Sequence, residues 1–303
     1  MCSLTVPNGA RPGRYSPADR VRAGASHERA GVATGRRHYL EPVSEPSPDA
    51  RLAELRVLLT TATQRLLGST IVVTDAEWAL PSRLPGWSRA HVATHVARQA
   101  DGFARLVEGA AAGERRAMYS SPEARTAEIE DGADRTGLEL QTDLDTSAER
   151  LTEAFDRLDQ LQVGQLQGGQ GQGGQGTGDG PGTGWSAAVE LRGGLVVPAR
   201  LLPLGRLFEV ELHHVDLDVG LDVEQIEPEV AEWLIEWVAF RARLRDEFPR
   251  VELHADSGFS TTVGQVGDGL VVHGTAPALV GWLTNRLEPD AVAGTRGLRL
   301  PSL

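Results

Sequence analysis

The chain has 303 residues, a net charge of −12 and 40% hydrophobic residues, enough to bury a core over much of its length. No basic face runs along any predicted helix, and no apolar run approaches the roughly 20 residues of a membrane span, so neither nucleic acid nor a bilayer is an expected partner. All 30 basic residues are arginine, and the single cysteine, Cys2, leaves any thiol chemistry to itself or to a thiol from outside.

Residues 1–47 are rich in Arg, Gly, Ser and Pro and read as a disordered tail. Their Arg-rich, acid-poor start also suits an organellar transit peptide, but they lack the apolar stretch of a secretory signal. A cytoplasmic location is the expectation. Leu52, Leu55, Leu58, Leu59, Ala62 and Leu66 recur at helical spacing and predict a first helix ending at Gly68. The turn-rich stretch Leu84-Pro85-Gly86-Trp87 leads to Ser88, a good N-cap for a second helix carrying Val92, Val96, Phe103 and Val107. Met118 to Arg125 read as part of the loop that follows. A third helix falls within about 142–162, with Leu151, Phe155 and Leu158 inward. Residues 163–184, mostly Gly and Gln, predict a flexible loop. A fourth helix starts near Pro198 or Pro203 and runs to about Val219, and a fifth spans Pro228 to about Arg245. Beyond Pro249, short strands at Val251–Ala255, Ser260–Val266 and Leu270–Gly274 precede a helix over Ala278–Leu287. The expected fold is mainly α: a helical bundle over 48–222, then a small α+β domain over 223–303.

Two helices carry candidate chemistry. On a wheel of 100° per residue with His95 at zero, Val92, Val96, Phe103 and Leu106 lie between about 20° and 100°. His95 therefore sits at the edge of the buried face and His91 nearer solvent. Either His95 is a satisfied core histidine or it points into the bundle as a ligand. On the fourth helix Arg206, Glu209, His213 and Asp216 form one polar stripe, beside the mostly apolar stripe of Leu207, Val210, His214 and Leu217. Glu209 and His213 are one turn apart, the spacing at which a carboxylate and an imidazole can share a metal ion. The alternative is a solvated stripe with pairing at i, i+4. Arg125 and Arg286 are each either an ordinary helix-end or surface arginine or a group that grips a carboxylate.

Three segments, in order, resemble the mycothiol-dependent maleylpyruvate isomerase family: Leu84-Pro-Gly-Trp-Ser-Arg-Ala-His-Val-Ala-Thr-His95, Met118 to Gly132, and Arg206-Leu-Phe-Glu209-Val-Glu-Leu-His213-His-Val-Asp216. The resemblance covers roughly residues 50–303 apart from the Gly/Gln insertion. It implies a DinB-like up-and-down helical bundle with a small C-terminal domain, and a divalent metal, zinc for preference, on His95, Glu209 and His213. It further implies catalytic roles for Arg125 and Arg286, mycothiol as thiol cosubstrate and a small anionic substrate, in a monomer or homodimer. Asp216 is a candidate to orient a histidine ligand. The implied reaction is cis–trans isomerisation of maleylpyruvate-like keto-diacids. A mycothiol S-transferase and a non-catalytic metal-binding module are the alternatives. His214, Glu211 and the long insertion depart from the family pattern without touching the ligand stripe.

Overall fold

A computed structural model describes residues 47–168 and 183–302, so the expected tail and most of the Gly/Gln stretch lie outside the described residues. Helix α1 spans Pro48–Thr70, with Ser47 capping it by accepting from the Ala50 amide and Pro48 in its first turn. Leu55, Leu59, Ala62 and Leu66 bury one stripe. The short helix α2, Asp75–Trp78, opens on a Thr74/Glu77 capping box. The chain then turns at Gly86, whose φ of 83° suits glycine. The turn is pinned by Ser82 N–H donating to Trp87 O and Arg89 N–H to Leu80 O.

Helix α3, Arg89–Ala112, starts on Ser88 as predicted and ends at Gly113 in the left-handed region. His91 completes its capping box, with Nδ1 accepting from the Ser88 amide. Its Nε2 lies 3.4 Å from Glu130 Oε2. Small residues (Ala93, Ala97, Ala100, Ala104) let α3 be buried on most of its circumference. It packs against α4 (Pro122–Ala133), α5 (Gly137–Gly168) and α6 (Leu202–Leu217), while α1 packs against α5 and α6.

Two expectations need correction. Arg125 is on a helix, not a loop: Ser121 accepts from the Ala124 amide and Pro122 occupies the first turn of α4. Helix α5 also runs to Gly168, into the stretch expected to be loop. A hairpin absent from the sequence reading, β1 (Ala188–Glu190) and β2 (Val196–Pro198), precedes α6 and pairs Val189 with Val197.

Helix α7, Pro228–Ala242, lies against α6 where Gly205 admits Trp237; a Cβ there would meet the indole at 3.1 Å. The C-terminal part is a three-stranded sheet, ordered β4 (Ser260–Val263), β3 (Pro249–Ala255), β5 (Val266–Gly274). β3 pairs antiparallel with β4 and parallel with β5. Helix α8, Ala276–Leu283, is capped by Thr275 and packs on α7. Mainly helical structure with a small C-terminal α+β part is therefore the observed architecture. Among the described residues no helix is long and apolar enough to cross a membrane.

The α3–α4 contact fixes the phase of the helix that carries His95. Gly132 of α4 lies directly on the buried Thr94, and a Cβ at 132 would overlap the threonine side chain. Gly132→Ala should destabilise the protein by about 1–3 kcal/mol, seen as a lower Tm. Adding Thr94→Ala should restore much of the loss, because it removes the atoms in conflict. Equal Tm values for Gly132→Ala and the parent would contradict this packing.

Candidate metal centre

Helix α6 is buried nearly all round, yet it bears Arg206, Glu209, Glu211, His213, His214 and Asp216. Buried polar groups need partners, and most of these have one on a different element. The fully buried Arg206 donates from Nη1 to Val96 O at 2.8 Å and to Gln99 Oε1 at 2.5 Å, tying α6 to α3 beside His95. Burial pushes its pKa down to about 10, with Glu209 pulling the other way. Glu211, 1% exposed, accepts twice from Arg65 of α1 at 2.6 Å. The solvated-stripe alternative does not describe this helix.

These ties bring three side chains together. His95 Nε2 is 3.2 Å from Glu209 Oε2 and 3.1 Å from His213 Nε2, and His213 Nε2 is 3.2 Å from the same carboxylate oxygen. His95 is 8% exposed and packs edge-on to Trp87 and to the His213 ring. Among the described residues this is the one group of His, Cys, Asp or Glu side chains clustered closely enough to hold a metal ion. Two ligands at about 2.05 Å from a tetrahedral zinc lie about 3.3 Å apart, close to all three spacings. Two imidazoles and a carboxylate are also a common catalytic zinc donor set. The residues present fit a divalent ion.

Burial and mutual hydrogen bonding shift all three groups. Burial pushes His95 down to about 4, opposed by Glu209. Burial alone would raise the Glu209 carboxyl, but hydrogen bonds from His213 and His95 hold it well below the ordinary carboxylate value. His213 is raised: burial acts to lower it, and the carboxylates of Asp216 and Glu209 overcome that.

The histidines are braced differently. His213 Nδ1 lies 2.8 Å from Asp216 Oδ2. With that nitrogen donating, the Nε2 lone pair faces the cluster. Asp216, 1% exposed, accepts from Arg286 Nε at 3.0 Å and Nη2 at 2.5 Å, and Arg286 Nη1 donates to Thr284 O. Arg286, just beyond α8, thus reaches from the C-terminal part to the ligand helix. On the other side Arg125 Nη2 donates to His95 Nδ1 at 2.9 Å. A guanidinium only donates, so this bond puts the His95 hydrogen on Nε2. Ligation through Nε2 requires the other tautomer, with Nδ1–H, and hence the release of Arg125.

The three ligand atoms open into a cavity of about 390 Å³ lined also by Phe103, Phe208 and Trp237 and by four arginines, Arg125, Arg192, Arg241 and Arg286. Arg192 and Arg241 were not singled out in the sequence. Arg241 follows Trp237 by four residues on α7, a legible signal; Arg192 sits at the hairpin turn and carried none. A second cavity of about 410 Å³ adjoins through Met118, Tyr119, Leu191 and Arg192 but contains none of the three ligands.

Residues 59–191 match the family model of the mycothiol maleylpyruvate isomerase N-terminal domain. Over those residues the helical bundle is similar to that domain. The match ends before α6, so Glu209 and His213 enter the centre on geometry. Two solved structures resemble the chain over 84% of its length and 98% of theirs, each with a TM-score of 0.68. One is a crystal structure of a mycothiol-dependent maleylpyruvate isomerase, 26% identical, and the other is of a histidine-to-alanine mutant of such an enzyme, 25% identical. No curated protein sequence matches.

If Asp216 and Arg286 act together on His213, removing either should loosen the centre. Asp216→Asn and Arg286→Gln should each weaken zinc binding about 10- to 100-fold, measured by competition with a chromogenic chelator. The double variant should be little worse than either single. Unchanged zinc affinity in Arg286→Gln would show that the arginine does not act through Asp216.

Proposed function

We propose that this chain is a metal- and mycothiol-dependent cis–trans isomerase of maleylpyruvate-like unsaturated keto-diacids. The observation that carries the reading is the His95, Glu209 and His213 cluster at an arginine-lined cavity with no cysteine in its wall. The chain's one cysteine, Cys2, lies outside the described residues. In this reading the nucleophilic thiol is a cosubstrate, mycothiol, on which the two resembling enzymes depend.

The reaction needs no redox partner. A thiolate adds to the cis double bond conjugated with the keto group, forming a C–S bond while the π pair moves onto the carbonyl oxygen as an enolate. The former double bond is now single and rotates. Collapse of the enolate reforms the double bond in the trans arrangement and expels the thiolate, so the thiol is regenerated. When bound by His95, Glu209 and His213, a divalent ion supplies the Lewis acidity that lowers the thiol pKa.

The remaining work belongs to the protein. Arg125, once off His95, presents its guanidinium to the cavity beside the ligands, where it stabilises enolate charge. Arg286 holds Asp216 and, having five N–H donors, keeps N–H groups for the cavity it lines. Phe103, Phe208 and Trp237 displace water from the reacting atoms, which strengthens each of these charge interactions.

The test is loss of maleylpyruvate absorbance with zinc-loaded protein, with and without mycothiol. Turnover should require mycothiol and disappear in His95→Ala. Absence of turnover with mycothiol present, together with conjugation of mycothiol to a test electrophile, would replace isomerisation with S-transfer at the same site.

A further inference from the structure

The cavity holds more cations than the centre uses. Arg286 is engaged by Asp216, and Arg125 by His95. Arg192 and Arg241 remain. Among the described residues neither forms a hydrogen bond or ion pair with a carboxylate; Arg241 has only the face of Trp237, 5.9 Å from its guanidinium carbon. Arg241 is half-buried and Arg192 exposed at the hairpin turn, yet both line the same cavity as the ligand cluster. Burial acts to lower the Arg241 pKa, Glu209 to raise it, and Arg245 and Arg192 to lower it further, so the two cavity arginines repel one another.

Two like charges lining one cavity without a counterion are costly. The buried or half-buried Arg51, Arg56, Arg65 and Arg98 each meet a carboxylate. Arg206 and Arg105 meet no carboxylate but donate to neutral oxygens, Arg206 to Val96 O and Gln99 Oε1 and Arg105 to Met118 O, whereas among the described residues Arg241 and Arg192 have no hydrogen-bond partner. We propose that Arg241 and Arg192 form the anion site that seats a carboxylate of a dicarboxylate ligand, and so set the preference for diacids over monoacids. The ligand's identity as a keto-diacid rests on the isomerase reading; the anion site itself does not. Planar guanidinium groups on α7 and on the hairpin suit a planar carboxylate approached from two sides. Because Arg241 lines the same cavity as His95, Glu209 and His213, a carboxylate held there leaves the rest of a short diacid in the space onto which the metal ligands open.

The test is calorimetric titration of the zinc-loaded protein with maleate, without thiol, so that binding is read apart from turnover. Parent protein should bind maleate more tightly than the monoacid crotonate. Arg241→Gln and Arg192→Gln should each weaken maleate at least about tenfold and narrow the difference from crotonate. Arg241→Lys, which keeps charge but loses the fork, should fall between. Arg243→Gln, which removes an exposed charge outside the cavity, should change nothing. Circular dichroism and zinc content should match the parent throughout. Maleate affinity that is absent in the parent, or indifferent to both arginines, overturns the site. Isomerase turnover combined with such indifference leaves the proposed function standing without it. Arginine-dependent maleate binding without turnover keeps the site and removes the isomerase reading.

Discussion

The structure depends on how a helix buried nearly all round accommodates ionisable groups. Helix α6 gives Arg206 to the Val96 carbonyl and Gln99, Glu211 to Arg65, and Asp216 to Arg286. Each bond satisfies a polar group that water cannot reach, and each fixes α6 against α1, α3 or the segment after α8. Of the others, His214 Nε2 is buried without a partner, and Glu209 and His213 turn towards His95, with three potential ligand atoms 3.1–3.2 Å apart. A divalent ion satisfies all three at once.

The cavity above those three atoms differs in charge from the chain as a whole. The protein carries −12 overall, but among the described residues the cavity wall has four arginines and, apart from Glu209, no carboxylate. The arginines come from α4, the β1–β2 hairpin, α7 and the turn after α8. A positive pocket in an acidic protein concentrates its field where small anions enter. The C-terminal part contributes here through Arg286, which links α8 to the ligand helix by way of Asp216. An account of the bundle alone would miss that brace.

Much of this was legible in the sequence, for physical reasons. Helices α1, α3, α6 and α7 announce themselves by periodic apolar residues, and the last three also by starts at Ser88, Pro203 and Pro228. The wheel that put His95 at the buried edge relied only on that period, and the structure buries it there. Helix α4 was missed because it is short and polar, although Ser121-Pro122 marks its start. The β1–β2 hairpin was missed because strands of three residues beside a Gly/Gln-rich stretch give no alternation to read. The Asp216–Arg286 pair spans 70 residues and leaves no local pattern. The sequence likewise gave no means of telling an arginine bound by the protein from one left facing the cavity.

The central claim is that the His95, Glu209 and His213 centre holds a metal that activates an external thiol. X-ray absorption at the zinc edge of the zinc-loaded protein, before and after mycothiol, tests it most directly. The account predicts two imidazole nitrogens and a carboxylate oxygen at first, then a new sulfur neighbour at about 2.3 Å. A zinc shell that contains no imidazole, or that gains no sulfur with mycothiol in excess, would contradict it.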